Sequence, residues 1–132
     1  MEGAWRVRGV RGATTVHENS RAAVREAVVE LVRALMAHNQ LVPEDMVMVM
    51  FTCTPDLDSC FPSQMVREEL SWEHVPFLDL AHLGVQGSLK RCIRVIIQVN
   101  TPKLQAQMQP VYLRGARGLR PDLLGTTGGT LC

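Results

Sequence analysis

The chain has 132 residues, of which 46% are hydrophobic and 20% charged, and a formal net charge of +1. That is the size and balance of one globular domain with a real core. It excludes a general polyanion binder and a membrane span: no basic block is present, and the longest apolar run, Met46 to Phe51, is far too short to cross a bilayer. The cations are uneven in kind, twelve Arg against two Lys. Arg grips carboxylates and phosphates as a planar fork, so the bias favours recognition of small anions.

Trp5 to Val16 reads as a strand interrupted by Gly9 and Gly12. Alternation puts Trp5, Val7, Gly9 and Arg11 on one face, read here as apolar, and turns Arg6 and Arg8 to solvent. The glycines mark a bulge or a close backbone approach. Ser20 to Asn39 reads as a helix capped by Ser20 and ended by Asn39, with Val24, Ala27, Val28, Leu31, Val32 and Leu35 on one stripe. Pro43-Glu44-Asp45 is a turn. Met46 to Thr54 is apolar at both alternations and reads as a central covered strand; since helices covering one face only would leave the other needing partners, it points to subunit association. Pro62 opens a second helix. Val75 to Leu80 reads as a short strand, Ala81 to Leu89 as a loop, Leu104 to Met108 as a short helix and Val111 to Leu119 as a last strand. The order is strand, helix, strand, helix, strand, strand, strand, which predicts an α+β fold with a mixed sheet packed against two helices.

Cys92 to Val99 is the most informative of these strands. Ile93, Val95, Ile97 and Val99 share one face, and Cys92, Arg94, Ile96 and Gln98 the other. A guanidinium cannot shed its charge, and burying it unpaired is costly. Either a protein carboxylate or an anionic ligand must answer Arg94.

Cys53, Cys60, Cys92 and Cys132 form no C-x-x-C pair and sit at no metal spacing from His17, His38, His74 or His82. Reduced thiols in a cytoplasmic protein are expected, with Cys53 and Cys92 as small buried hydrophobes. No apolar run follows Met1, so no signal peptide is expected. No nucleophile–base pair, phosphate loop or dinucleotide fingerprint is present. What remains is cationic: Arg11, Arg67 and Arg94, with Tyr112 and Arg120. Such a set fits binding, or chemistry that needs only positioning and electrostatics.

Four stretches run in order along the chain: Arg8-Gly9-Val10-Arg11-Gly12-Ala13-Thr14-Thr15-Val16; Thr54-Pro55-Asp56-Leu57 with Phe61-Pro62 and Val66-Arg67-Glu68; Gly87-Ser88-Leu89-Lys90-Arg91-Cys92-Ile93-Arg94-Val95; and Val111-Tyr112-Leu113 with Leu119-Arg120-Pro121-Asp122-Leu123. Together they resemble the monofunctional α/β-type chorismate mutases. The small, polar, glycine-rich composition of Gly125 to Thr130 reads as a mobile tail over 124–132 after a single domain over residues 1–123, and the resemblance implies a homotrimer whose sheets enclose a pseudo α/β-barrel with sites between subunits. It implies the Claisen rearrangement of the dicarboxylate chorismate to prephenate, with no cofactor, no metal, no nucleic-acid or membrane partner, and a cytoplasmic setting.

In that reading Arg11 and Tyr112 hold the side-chain carboxylate region, and Arg94 meets the ether oxygen as charge grows there. Phe61 covers the ring, Leu119 and Arg120 close the mouth, and Arg67 pairs with the ring carboxylate or a partner subunit. Leu78, Leu80, Ala81 and Cys92 join the substrate-binding set. One departure stands out. Where the family usually carries Cys and Glu, this chain has Asp79 and His82. The expectation is a relocated acceptor, Asp79 taking the ring hydroxyl while His82 orients it or faces solvent. Two other readings stay open: a trimeric carboxylate-binding or imine-hydrolysing protein of the same general fold, and a catalytically dead regulatory homologue.

Overall fold

The computed structural model describes residues 3–119. Five strands form one mixed sheet: β1 (Arg6–Thr15), β2 (Met46–Cys53), β3 (Phe77–Ala81), β4 (Cys92–Thr101) and β5 (Val111–Tyr112), in the order β3-β2-β4-β1-β5. β4 lies in the middle and runs antiparallel to both β1 and β2, while β3 and β5 join the edges in parallel with β2 and β1. The helices α1 (Arg21–Asn39) and α2 (Pro62–Leu70) supply the covering layer. The predicted order of elements and the mixed sheet with two helices are both present.

α1 starts where the Ser20 hydroxyl accepts from the Ala23 amide at 3.2 Å. It ends at the expected Asn39, and Gln40 caps it in the left-handed conformation with φ 52°. Its predicted stripe is buried from Val24 to Leu35. This stripe packs on Val10, Val49, Phe51, Ile93, Val95, Ile97 and Val99, which make one continuous core with Met65 and Val66 of α2. Each such side chain contributes about 1.5–3 kcal/mol on burial. Gly12 lets the helix approach this closely: a Cβ there would lie 2.9 Å from Leu35 Cδ1 and 3.0 Å from the Val111 carbonyl oxygen. α1 and α2 are also tied by Glu68, which meets Arg21 at 2.7 Å and also Arg25. These exposed pairs add little to stability.

Several expectations need correction. Arg8 does not simply point to solvent: its Nε donates to the Lys103 carbonyl at 3.1 Å. Within one chain β2 is covered on one face: Val49 and Phe51 are buried under the helices, whereas Met48, Met50 and Thr52 on the other face, the one expected to need a partner, are half-exposed. The face of β1 read as apolar is the open one, with Trp5 58% and Val7 51% exposed. Val111 to Leu119 is not one strand. Only Val111 and Tyr112 pair with β1, after which Arg114 turns left-handed at φ 52° and Arg114–Gly118 winds into a 3-10 turn. Arg114 bonds Glu26 and Glu30 of α1, each at 3.1 Å, and the Gly115 amide donates to the Thr15 hydroxyl at 3.0 Å. Those contacts pull the chain away from the sheet edge. The expected tail over 124–132 lies outside the described residues, as does Arg120.

Candidate active site

The open face of the sheet carries the candidate residues in rows. Register places Tyr112 beside Ala13, Ala13 beside Arg94, Arg94 beside Thr52 and Thr52 beside Leu80, one residue from each of the five strands. In a neighbouring row Arg11 pairs with Ile96, Ile96 with Met50 and Met50 with Leu78. The alternation read in β4 holds: Ile93, Val95, Ile97 and Val99 face the helices, and Arg94 projects from the opposite side.

No carboxylate answers Arg94 among the described residues. Its Nε is buried and has no hydrogen-bond partner, and the buried Tyr112 hydroxyl is unpartnered too. Orphaned buried donors are rare because each leaves its desolvation uncompensated. Two of them lie in one row, with Ala13 between them in register, and neither has a partner among the described residues. Around them Ala13, Cys92, Tyr112, Ala116 and Leu119 form a second, smaller apolar cluster with Leu89 packed on it. Burial pushes the Cys92 thiol up, with the neighbouring guanidinium opposing the rise. Cys53 is pushed up to about 12, first by burial and then by the Asp79 charge. Both thiols therefore stay protonated and inert as nucleophiles at neutral pH.

Loop contacts explain why the sequence stretches around this strand matter. Asp56 accepts from the Arg91 amide at 3.1 and 2.9 Å. The Thr54 hydroxyl accepts from the Cys92 amide at 2.9 Å, and Arg91 Nε donates to the Val16 carbonyl at 2.9 Å. These bonds tie the loop after β2 and the end of β1 to the start of β4, and so fix the strand from which Arg94 projects.

The other candidates fall in three places. Arg11 and Tyr112 share an open cleft of about 450 Å³, walled also by Gly9, Ile96, Met108 and Pro110. Arg11 is exposed and forms no ion pair among the described residues. Phe61 sits at the N-terminal end of α2, 64% exposed, and the exposed Arg67 lies over the Phe77 ring at 5.9 Å from its centroid. Leu78, Leu80 and Ala81 are exposed along edge strand β3, and Leu119 is buried against Tyr112.

Asp79 and His82 are placed differently from expectation. Asp79 pairs in register with Phe51, a residue of the helix side. Its carboxylate accepts from both the Ser63 amide, at 3.2 Å, and the Ser63 hydroxyl, in the first turn of α2. The structure thus does not bring Asp79 to the Arg94 row. His82 is no surface residue: it is 8% exposed, its amide donates to the Cys53 carbonyl at 3.1 Å, and Nδ1 lies 3.1 Å from the Thr52 hydroxyl. Burial, and then the Arg94 charge, hold its pKa below the ordinary histidine value. Thr52 is the residue that sequence reasoning passed over; it read as one more position in an apolar strand. Among the described residues no group of three or more His, Cys, Asp or Glu could hold a metal ion.

Comparison with known proteins agrees with the geometry. The family model described as chorismate mutase type I matches residues 7–123. The chain is 39% identical over 117 residues to chorismate mutase AroH of Bacillus subtilis (strain 168), covering 89% of this chain and 92% of that one. It is 42% identical over 118 residues to chorismate mutase AroH of Thermus thermophilus, covering 89% and 96%. A solved chorismate mutase from Clostridium thermocellum superimposes with a TM-score of 0.80 at 35% identity, covering 83% of this chain and 96% of that one.

Proposed function

The chain belongs to the type I chorismate mutase family, and from that premise we propose how it carries out the rearrangement of chorismate to prephenate, an isomerisation in aromatic amino acid biosynthesis. The observation that carries the mechanism is the orphaned Nε of Arg94, the enclosed nitrogen of a half-buried cation that meets no carboxylate among the described residues, on an open sheet face. As the ether C–O bond breaks and the new C–C bond forms, negative charge gathers on the ether oxygen. A guanidinium fixed beforehand stabilises that charge more than it stabilises the ground state, and so lowers the barrier. The reacting skeleton must also fold over its ring. Arg11 and Tyr112, which share a cleft, hold the side-chain carboxylate region and favour that compact form. Phe61 covers the ring, Arg67 meets a ring carboxylate or a neighbouring subunit, and Leu119 with Arg120 closes the mouth. Leu78, Leu80, Ala81 and Cys92 line the remainder.

We read the active species as a homotrimer with sites between subunits. What supports this is the open sheet face itself: Trp5, Val7, Leu78 and Leu80 are between 43% and 58% exposed there, beside half-exposed Met48, Met50 and Ile96. A contiguous apolar face of that kind is covered in a stable protein. A cytoplasmic setting accords with the free thiols of Cys53, Cys60 and Cys92. No described helix is long and apolar enough to cross a membrane.

The test is consumption of chorismate by the purified protein, followed by ultraviolet absorbance without added metal or nucleotide, alongside sedimentation to obtain the mass. Turnover by a trimer is expected. No turnover, or turnover lost to a chelator and restored by metal, contradicts the mechanism; a fully active monomer contradicts the shared site.

A further inference from the structure

We propose that Gln105 is a positioning residue for Arg11: its side-chain amide stands in for a missing strand at Gly9 and fixes the backbone from which the guanidinium reaches the substrate's carboxylate. The inference deepens the proposed role of Arg11 and rests on it. β5 pairs with β1 only at Gly12 and Ala13, so that edge of β1 has no neighbouring strand at Gly9. A glycine is the freest residue a strand can contain, and its amide and carbonyl both need partners. Gln105 meets both: the Gly9 amide donates to Oε1 at 3.0 Å, and Nε2 donates to the Gly9 carbonyl at 2.6 Å. A carboxamide offers the same donor and acceptor as a peptide group, so one side chain replaces a strand residue.

Gln105 is itself held by a braced segment. The Lys103 carbonyl accepts from Arg8 Nε at 3.1 Å, and Lys103 Nζ donates to the Asn39 carbonyl at 2.9 Å and to Gln40 Oε1 at 2.6 Å. The buried Asn39 side chain exchanges two hydrogen bonds with the Gln109 backbone, at 2.9 and 2.6 Å. The segment is therefore anchored to the end of α1 on both sides of Gln105. Arg11 needs such bracing. It lies two residues from Gly9 on the same face of β1, and both wall one cleft with Gln105 and Tyr112. It is exposed and forms no ion pair among the described residues, so its backbone sets its aim. Misplacing a binding group by about 1 Å can cost about 10²-fold in rate.

The experiment compares wild type with Gln105→Met, which keeps the length of the side chain but cannot pair with Gly9, and with Gln105→Ala as a second variant. Hydrogen exchange, which needs no turnover, should find the Gly9 amide at least about tenfold faster in both variants. Val10, paired with Ile97 across β4, should be unchanged. With chorismate, KM should rise about five- to tenfold while kcat falls less than about threefold, because Arg94 stays in place. Added to Arg11→Ala, Gln105→Met should change KM by less than about twofold, since the group it aims is gone. Gly9 exchange as slow as in wild type, an unchanged KM, a loss confined to kcat, or an undiminished effect in Arg11→Ala overturns the proposal. A wild type that leaves chorismate unchanged, or a native KM in Arg11→Ala alone, refutes the proposed role of Arg11 and the aiming with it; fast Gly9 exchange in Gln105→Met would then still establish the clamp.

Discussion

Arg94→Met separates function from folding because the two should move in opposite directions. Methionine matches the arginine stem in length and suits the apolar cluster beside Cys92 and Tyr112. The substitution breaks no ion pair, since Arg94 has none among the described residues, and it removes a buried donor that lacks a partner. Relief of an orphaned polar group is worth about 1–3 kcal/mol. Arg94 is only half-buried and one nitrogen is fully enclosed, so the lower end, about 1 kcal/mol, is the expected gain. That corresponds to a rise of about 4 °C in Tm for a domain of this size. Turnover should fall at least about 10²–10³-fold, the usual consequence of losing one preorganised donor to a developing oxyanion. Arg94→Lys should keep the charge but not the fork, and should lose activity of similar order. The assays are thermal unfolding and chorismate consumption on the same preparation. If Arg94→Met melts lower than wild type, the guanidinium is a structural strut and the account of the open row is wrong. If the variant keeps near-native turnover, Arg94 does not face the reacting ether.

Other perturbations address other parts of the molecule. Asp79→Asn should weaken the capping of α2 through Ser63 and cost about 1–2 kcal/mol in urea unfolding, with kcat nearly unchanged; a large loss of kcat at native stability would return Asp79 to the substrate. The folded imidazole of His82 protonates below its ordinary value of 6.5. Its neighbours across the sheet are Arg94 from β4 and the uncharged Thr52 from β2, while Asp79 of β3 is turned to Ser63. Between the two pKa values the unfolded chain therefore binds more protons. The contribution of His82 to stability is complete above 6.5 and lost as pH falls below it. His82→Gln should show a shallower loss of urea stability between about pH 8 and about pH 5 than wild type; an equal or steeper loss contradicts the buried neutral ring. Gly12→Ala should destabilise by about 1–3 kcal/mol, since its methyl would press on Leu35, Leu31 and the Val111 carbonyl; an unchanged denaturation midpoint would mean that α1 can lift off β1 freely.

Much of the fold was legible because it rests on period. The α1 stripe and the alternation in β4 each follow from residues spaced to one face, and those faces are the buried ones. Burial on a second face was not legible from β2, because methionine suits a covered core and a face awaiting a partner alike. The end of Val111–Leu119 was missed because the strand stops through contacts from afar, Arg114 to α1 and Gly115 to Thr15. Arg94 declared itself by being a charge in an apolar strand. His82 did not: a histidine after a short strand looks the same whether it faces water or turns under Thr52. Asp79 misled because a carboxylate suits an acceptor's role, yet its side chain is claimed by the first turn of a helix sixteen residues earlier in the chain.

The five-strand row through Arg94 also bears on how the sheet chooses its alignment. Side chains alternate faces, so a slip of β4 by a single residue would drive the guanidinium into the dry layer beneath α1 and bring isoleucine or valine to the open side. A lone charge among Leu31, Leu35, Val49 and Phe51 would be intolerable. Any shifted pairing with β1 or β2 is thus penalised by the same side chain that we propose meets the substrate. Arg94 thus penalises misalignment of the strands, so chains that complete this sheet in a stable form have already lined up the row from Tyr112 to Leu80.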